Sequence, residues 1–495
     1  MLRKTMPAMF IFVFMLSYIV LDAGTISAAH ELPQVDPAAV HMLDKPLEDL
    51  DTEVERAIGE DVMPGAVVAI AKDGKIVKQQ AYGYAARYID SDFSEMENPV
   101  QMQTDTIFDI ASMSKLFTAT AIMQLWDQGA FDLNEPVAQY IPEFAKNGKG
   151  DITIKQLLTH TSGLRPGPSK SLYEVEGDRE DRLKFAMEDA PQTDPDTDYI
   201  YSDINFMTLG VLIERISGQR EDVFVREHIT EPLEMRDTMY QPPAGLKDRI
   251  AATEYQPWTN RGLVWGSVHD ENAWALDGVA GHAGVFSTAA DLSVFAEMIL
   301  HNGSYQGIQV LSKKAIKLIQ TNWNGDFPGQ DHGLGWELNQ DWYMDALADE
   351  NAMGHTGYTG TSIVINPNNQ AVTILLTNRV HPTRETVSTN SIRKKVSEKA
   401  AHAIYGWSAK DLQRFVVKLQ ADGEFESSMV SRALETHLTA VSQFEKKNSP
   451  EKVVKHLQGF KLMLKHEREN DAISAESYQH LYDSADYLMQ KWQES

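Results

Sequence analysis

Apolar positions along the chain follow two periods, and the switch between them marks its parts. In residues 65–80 (GAVVAIAKDGKIVKQQ) the runs Ala66 to Ala71 and Lys75 to Gln80 flank Asp73-Gly74. A tight hairpin turn needs positive φ angles, which this dipeptide tolerates, so the spacing predicts two antiparallel strands. Thr361 to Ile365 and Ala371 to Asn378 are β-branched runs around Asn366-Pro367-Asn368-Asn369 and predict a second hairpin, followed by a helical stretch to about Tyr405. Between about 112 and 345 the spacing is mostly helical, as in 115–129 and 207–219, each closed by a glycine where a left-handed C-cap is wanted. The pattern predicts an α+β domain: one antiparallel sheet built from both ends, with a mainly helical middle.

After Ala409 only the helical period remains. Four stripes keep it: Leu412, Phe415, Val416, Leu419; then Leu434, Leu438, Val441; then Val453, Leu457, Phe460, Leu464; then Tyr478, Leu481, Tyr482, Ala485, Leu488, Trp492. Such stripes predict the core of a small all-α bundle over 411–493 rather than a ligand groove. Residues 30–45, with two prolines and little periodicity, predict a linker, and the first domain is expected over 46–408.

The N-terminus adds a destination. Arg3 and Lys4, an apolar run from Met9 to Leu21, and the small residues Ser27, Ala28 and Ala29 have the grammar of a signal peptide, residues 1–29. The run is short for a membrane span, so a secreted or cell-wall-associated chain without stable membrane insertion after signal removal is expected. There are no cysteines, which excludes disulfides, thiolate catalysis and cysteine-based zinc sites. A net charge of −26 argues against nucleic acid as a partner, since such ligands need a basic surface that displaces counterions.

Three short segments carry candidate chemistry. Ser112-Met113-Ser114-Lys115 opens an apolar helix, where a three-residue separation places a hydroxyl and an ammonium on one face. A neutral lysine there can take the serine proton, provided its pKa is lowered. Tyr201-Ser202-Asp203 follows about ninety residues later, and His355-Thr356-Gly357-Tyr358 opens a strand near the domain's end. His269, Asp270 and Glu271 are of metal-ligand type, but adjacent residues rarely converge on one ion, so loop hydrogen bonding is the default and neither a metal nor an organic cofactor is expected.

In that order and spacing the three segments resemble the serine β-lactamase and penicillin-binding-protein family, across roughly residues 46–405. The stretch 154–164 (IKQLLTHTSGL) is typical of it. The resemblance implies Ser112 as nucleophile, Lys115 as its activating partner and Tyr201 as a proton relay. It further implies substrate and oxyanion contacts from Asp203, His355, Thr356, Gly357 and Tyr358, with the Ser112 and Tyr358 N–H groups as the oxyanion hole. Asp203 replaces the usual asparagine and His355 the usual lysine, which shifts the expectation away from β-lactam turnover. Stretches 268–272 and 278–287, expected as loops bordering the cleft, are similar to a branch that includes exported N-acetylmuramyl-L-alanine amidases and periplasmic esterases. The tail resembles the FIMAH helical module, for which cell-surface association or simple stabilisation is implied.

The substrate favoured on these grounds is a cell-wall muropeptide. A D-alanyl-D-alanine carboxypeptidase, an esterase acting on small ester or amide substrates and a weak β-lactamase share the same mechanism. A catalytically silent wall-binding or sensing protein is the alternative of another class.

Overall fold

The computed structural model describes residues 31–40, 42–405 and 408–494; the signal-peptide reading falls outside the described residues. Seven antiparallel strands form the main sheet, in the order Glu337–Leu338, Met353–Thr356, Ser362–Asn366, Ala371–Thr377, Gly65–Lys72, Lys75–Tyr88, Glu95–Gln101. Both expected hairpins are present, with Asp73 at φ 52° and Gly74 at φ 72° in the first turn. They meet at the sheet's centre, where Ala66 pairs with Thr377 and Lys72 with Ala371.

The central strand Gly65–Lys72 explains its own unbroken apolar run. Val67, Ala69 and Ala71 point into one core and Ala66, Val68 and Ile70 into another, so both faces are covered. One face packs on helices Asp44–Gly59 and Asn390–Tyr405 through Leu50, Val54, Val396 and Ala400. The other packs on helix Ala289–Leu300 and, beyond it, on the helical middle. Each buried Val, Leu or Ile contributes on the order of 1.5–3 kcal/mol.

Two details differ from the sequence reading. Residues 31–45 are not a free linker: Leu32, Val40 and Met42 are buried, and the Val35 N–H donates to the Ile76 carbonyl at 2.9 Å. Three apolar side chains spread over eleven residues lack a period, yet they suffice to lay the segment on the sheet. The edge strand Glu95–Gln101 was also unforeseen, because its half-exposed, charged sequence has no two-residue alternation.

Helix Ser114–Asp127 runs through the helical middle with every residue from Ser114 to Leu125 buried. A helix that is apolar on all sides belongs in a core, and this one fixes its N-terminus between the sheet and helix Asp203–Ser217. The four tail helices, Ala409–Ala421, Ser428–Lys446, Pro450–Glu469 and Ala475–Glu494, enclose a separate core around Phe415, Leu438, Leu457 and Phe460. They lean on helix Asn390–Tyr405, where the His402 ring lies 4.7 Å from Phe415.

Because the tail core is separate, deleting residues 411–495 is expected to leave turnover of a nitrophenyl ester within about threefold of the full chain. Loss of turnover with an unfolded circular-dichroism spectrum would show instead that the bundle is part of the hydrolase core.

Candidate active site

The chain reaches Ser112 through a sharp turn. Short strand Phe108–Asp109 pairs with Val285–Ser287, and Ala111 then adopts φ 48°, a left-handed conformation that an alanine enters at a cost of about 1 kcal/mol or more. Asp109 holds it there. Its buried carboxylate accepts the Ala111 N–H at 2.8 Å and the His269 N–H at 2.6 Å. The turn Ala111–Met113 leads straight into the buried helix, so Ser112 stays partly exposed while Lys115, one turn on, is fully buried.

Lys115 spends its three N–H bonds on three oxygens. Nζ donates to Ser112 Oγ at 3.1 Å, Asp203 Oδ1 at 2.7 Å and the His282 carbonyl at 3.3 Å. It also lies 4.7 Å from the centre of the Tyr201 ring. Burial pulls the lysine pKa down, but the Asp203 carboxylate and the Tyr201 phenol outweigh it, and the net displacement is upward. The expected requirement of a lowered lysine pKa is therefore not met in the resting site. Lys115 stands as a cation, paired with the very carboxylate that replaces the usual asparagine. Burial raises the Tyr201 phenol and Lys115 opposes that rise.

Ser112, Tyr201, His355, Thr356, Gly357 and Tyr358 line one cleft of about 380 Å³, with Lys115 and Asp203 bonded beneath it. All eight sequence-predicted residues are thus brought together. His355 is buried, and its Nδ1–H donates to the Thr356 carbonyl at 2.8 Å, leaving Nε2 as the bare nitrogen. Burial first and the Lys115 charge second lower its pKa to about 3, so it is neutral where a lysine would be charged.

Gly357 was expected as a substrate or oxyanion contact. Its neighbours give a different reason: a Cβ there would lie 2.4 Å from the Ile110 carbonyl oxygen and 2.1 Å from Thr361 Oγ1. The glycine lets the third segment close on the turn that leads into Ser112. Thr359 Oγ1 donates to the Asp109 carbonyl at 2.8 Å, and Arg393 donates to the Gly357 carbonyl at 2.6 Å, which locks the arrangement. Tyr358 is 51% exposed at the mouth, with the Arg379 guanidinium 5.2 Å from its ring centre.

Stretches 268–272 and 278–287 lie under Ser112 and Lys115 rather than only along the rim. His282 supplies the third acceptor for Lys115 while its Nε2 bonds Asp270 Oδ1 at 3.0 Å. His269, Asp270 and Glu271 diverge: His269 Nε2 bonds Glu254 at 2.9 Å, and Glu271 accepts from Arg384 at 2.5 Å. Sequence reasoning missed Asp109, Arg393 and Glu337, whose buried carboxyl is pushed up to about 7 by desolvation. None of the three stands in a segment whose spacing draws attention to it.

A serine, a lysine and a tyrosine in one cleft, at the seam between an antiparallel sheet and a helical region, define a serine hydrolase of the β-lactamase and penicillin-binding-protein class. Residues 50–398 match the family model described as Beta-lactamase, and the chain belongs to that family; residues 409–490 match the FIMAH domain. An N-acetylmuramyl-L-alanine amidase of Bacillus subtilis (strain 168) is 34% identical over 366 residues, 68% of this chain and 82% of the relative. An Escherichia coli (strain K12) protein named "Putative D-alanyl-D-alanine carboxypeptidase" is 33% identical over 361 residues, 66% of this chain and 82% of the relative. Among solved structures, EstCE1, a hydrolase with promiscuous acyltransferase activity, matches with a TM-score of 0.56 at 22% identity, covering 72% of this chain and 99% of its own. The last likeness concerns the fold alone.

The charge state of His355 can be read from pH profiles. With its folded pKa near 3, it stays neutral across the neutral range, so His355→Gln should leave the shape of the kcat/KM profile between about pH 5 and 9 unchanged. The sign of its stability term is also fixed. The unfolded chain takes up a proton near pH 6.5 and the folded site does not, so the wild type should lose stability relative to His355→Gln as pH falls from about 6.5 toward 3. An acid limb near pH 6 that vanishes in the variant would mean the histidine titrates as a cation in the working enzyme.

Proposed function

We propose that this chain hydrolyses the amide between the lactyl group of N-acetylmuramic acid and L-alanine in cell-wall muropeptides, through an acyl-enzyme on Ser112. The observation that carries the mechanism is the continuous contact Ser112–Lys115–Asp203, at 3.1 and 2.7 Å, beneath Tyr201. The relative named as an N-acetylmuramyl-L-alanine amidase supports the bond, and the signal-peptide grammar of the N-terminus supports export to where that bond is found. The proposed organisation is an export segment over 1–29, the hydrolase over 46–408 and the helical module over 411–493. The module's proposed role is association with the cell surface.

Lys115 cannot accept a proton while it is an ammonium. Asp203, 2.7 Å away, is the group able to relieve it. As Ser112 Oγ bonds to the carbonyl carbon, its proton passes to Nζ while Nζ hands one to the carboxylate, leaving an ammonium beside a neutral carboxylic acid and the negative charge on the tetrahedral oxyanion. The Ser112 and Tyr358 N–H groups face the oxyanion of the tetrahedral intermediate. Its collapse breaks the C–N bond, and the departing amine takes its proton from the Tyr201 phenol, which regains one from Lys115, and Lys115 takes back the proton held by Asp203, restoring the ammonium–carboxylate pair. Water then attacks the acyl carbon, giving up a proton along the same route, and Ser112 leaves with its hydroxyl restored.

A second reading, removal of a terminal D-alanine, is favoured by the name of the Escherichia coli relative. The Asp203 carboxylate weighs against it, since a free substrate carboxylate placed close to Ser112 would meet a like charge.

Mass spectrometry of the protein incubated with MurNAc-tripeptide, a D-Ala-D-Ala pentapeptide, a nitrophenyl ester and a penicillin separates these readings. The expected result is free tripeptide and MurNAc, lost in Ser112→Ala. Release of D-alanine alone would move the assignment to the carboxypeptidase reading, and no product from any substrate would favour a silent wall-binding protein.

A further inference from the structure

His160 stands outside the Ser112–Lys115–Asp203 chain, yet it grips the segment that carries Tyr201 and Asp203. Its carbonyl accepts the Ile200 N–H at 3.0 Å, and its ring Nδ1 accepts the Ser202 N–H at 3.0 Å. The two donors flank Tyr201. The imidazole also lies against the Tyr201 ring itself, with centres 4.6 Å apart and planes 34° from parallel. On its other side Phe206 sits 5.2 Å away.

The hydrogen-bond partners fix the tautomer. Ser162 Oγ donates to Asn205 Oδ1 at 2.7 Å, which turns the Asn205 amide so that its Nδ2 faces His160 Nδ1 at 3.3 Å. Two donors therefore meet Nδ1, which must be bare, with the proton on Nε2. An imidazolium has no acceptor to offer and would break both contacts. The groups facing the ring are Lys115, His332 and His355 together with Tyr199 and Tyr201, and burial with these neighbours holds His160 in the neutral form.

Backbone geometry points the same way. His160 has φ 59°, unusual for a residue with a branched ring, and it stands just past Thr159, the C-cap of helix Ile154–Leu158, whose start is tied by a Thr153–Gln156 capping box. The Gln156 amide also bonds Asp196 at 2.7 Å, Ser202 Oγ bonds the Arg165 carbonyl at 2.6 Å, and the Asp203 N–H bonds the Pro166 carbonyl at 2.8 Å. Residues 153–166 thus form a rigid template on which 196–205 is laid, and His160 is the point where that template touches Tyr201.

We propose that His160 is a positioning residue for catalysis, holding the Tyr201 phenol over Lys115 and Ser112 through the Nδ1 contact to Ser202 and the ring contact to Tyr201. The proposal rests on Ser112, Lys115 and Tyr201 acting as described above. A purely structural histidine would lower the amount of folded enzyme and leave the folded remainder at full rate. A positioning histidine slows the folded enzyme itself.

Steady-state kinetics on a nitrophenyl ester, with Ser112→Ala, His160→Phe and His160→Asn compared by active-site-normalised rates, test this. His160→Phe keeps a ring and removes the acceptor. It should lower kcat by about 100-fold, the scale of a misplacement of about 1 Å, and leave KM within about threefold. His160→Asn places Oδ1 near the position of Nδ1 and should recover at least about tenfold of that loss. If the phenylalanine variant does not fold, His160→Gln, whose amide reaches past the Nδ1 position, takes its place with the same expectation. A folded His160→Phe within about threefold of wild type, or His160→Asn no faster than the misplaced variant, overturns the proposal. Ser112→Ala is the separate control: if it alone is inactive the chemistry stands whatever His160 does, and if it retains turnover the underlying reading is what has failed.

Discussion

The ion pair between Lys115 and Asp203 is the interaction on which the rest of the site depends. Taking an ammonium wholly out of water costs several kcal/mol, and the cost is offset only where the geometry is good and every remaining proton is bonded. Here Nζ has three acceptors, and its side chain is 0% exposed against 30% for Asp203. Burial above all, with the charge on Lys115 added to it, holds His355 and His160 below their ordinary range. The histidine of the third segment therefore stands neutral beside the Lys115–Asp203 pair.

That pair can form only because the fold brings distant segments to one point. Ser112 and Lys115 sit at the head of a helix buried on all sides, while Asp203 begins another helix 88 residues away. The third segment arrives from the sheet and is tied to the turn before Ser112 by Thr359 and Thr361, while Arg393 holds its Gly357 carbonyl from helix Asn390–Tyr405. The sheet itself is closed by pairing the strand that starts the domain with one that nearly ends it. Asp109 links the pieces, since its carboxylate holds Ala111 and His269 while its carbonyl receives Thr359.

Much of this was legible in the chain. The two hairpins announced themselves by Asp73-Gly74 and Asn366-Pro367, the four tail helices by their stripes, and the residues that meet in the cleft by three short segments in a fixed order. What escaped was whatever acts through burial or through backbone contact. The protonation of Lys115 depends on the distance to Asp203, which no spacing encodes. Gly357 looked like room for a substrate and is room for Ile110. His160 stood in plain view in the 154–164 stretch, but its bonds to the N–H groups flanking Tyr201 exist only after a loop of some forty residues has folded back.

The most direct test of the account is to trap the acyl-enzyme: mix the protein with an activated ester, quench in acid within the first turnovers and map the added mass by peptide sequencing. The account predicts a single acyl group on the peptide that contains Ser112, bound through its hydroxyl and absent from Ser112→Ala. Turnover with the acyl group on another residue, or with no acyl-enzyme at any time, would contradict it.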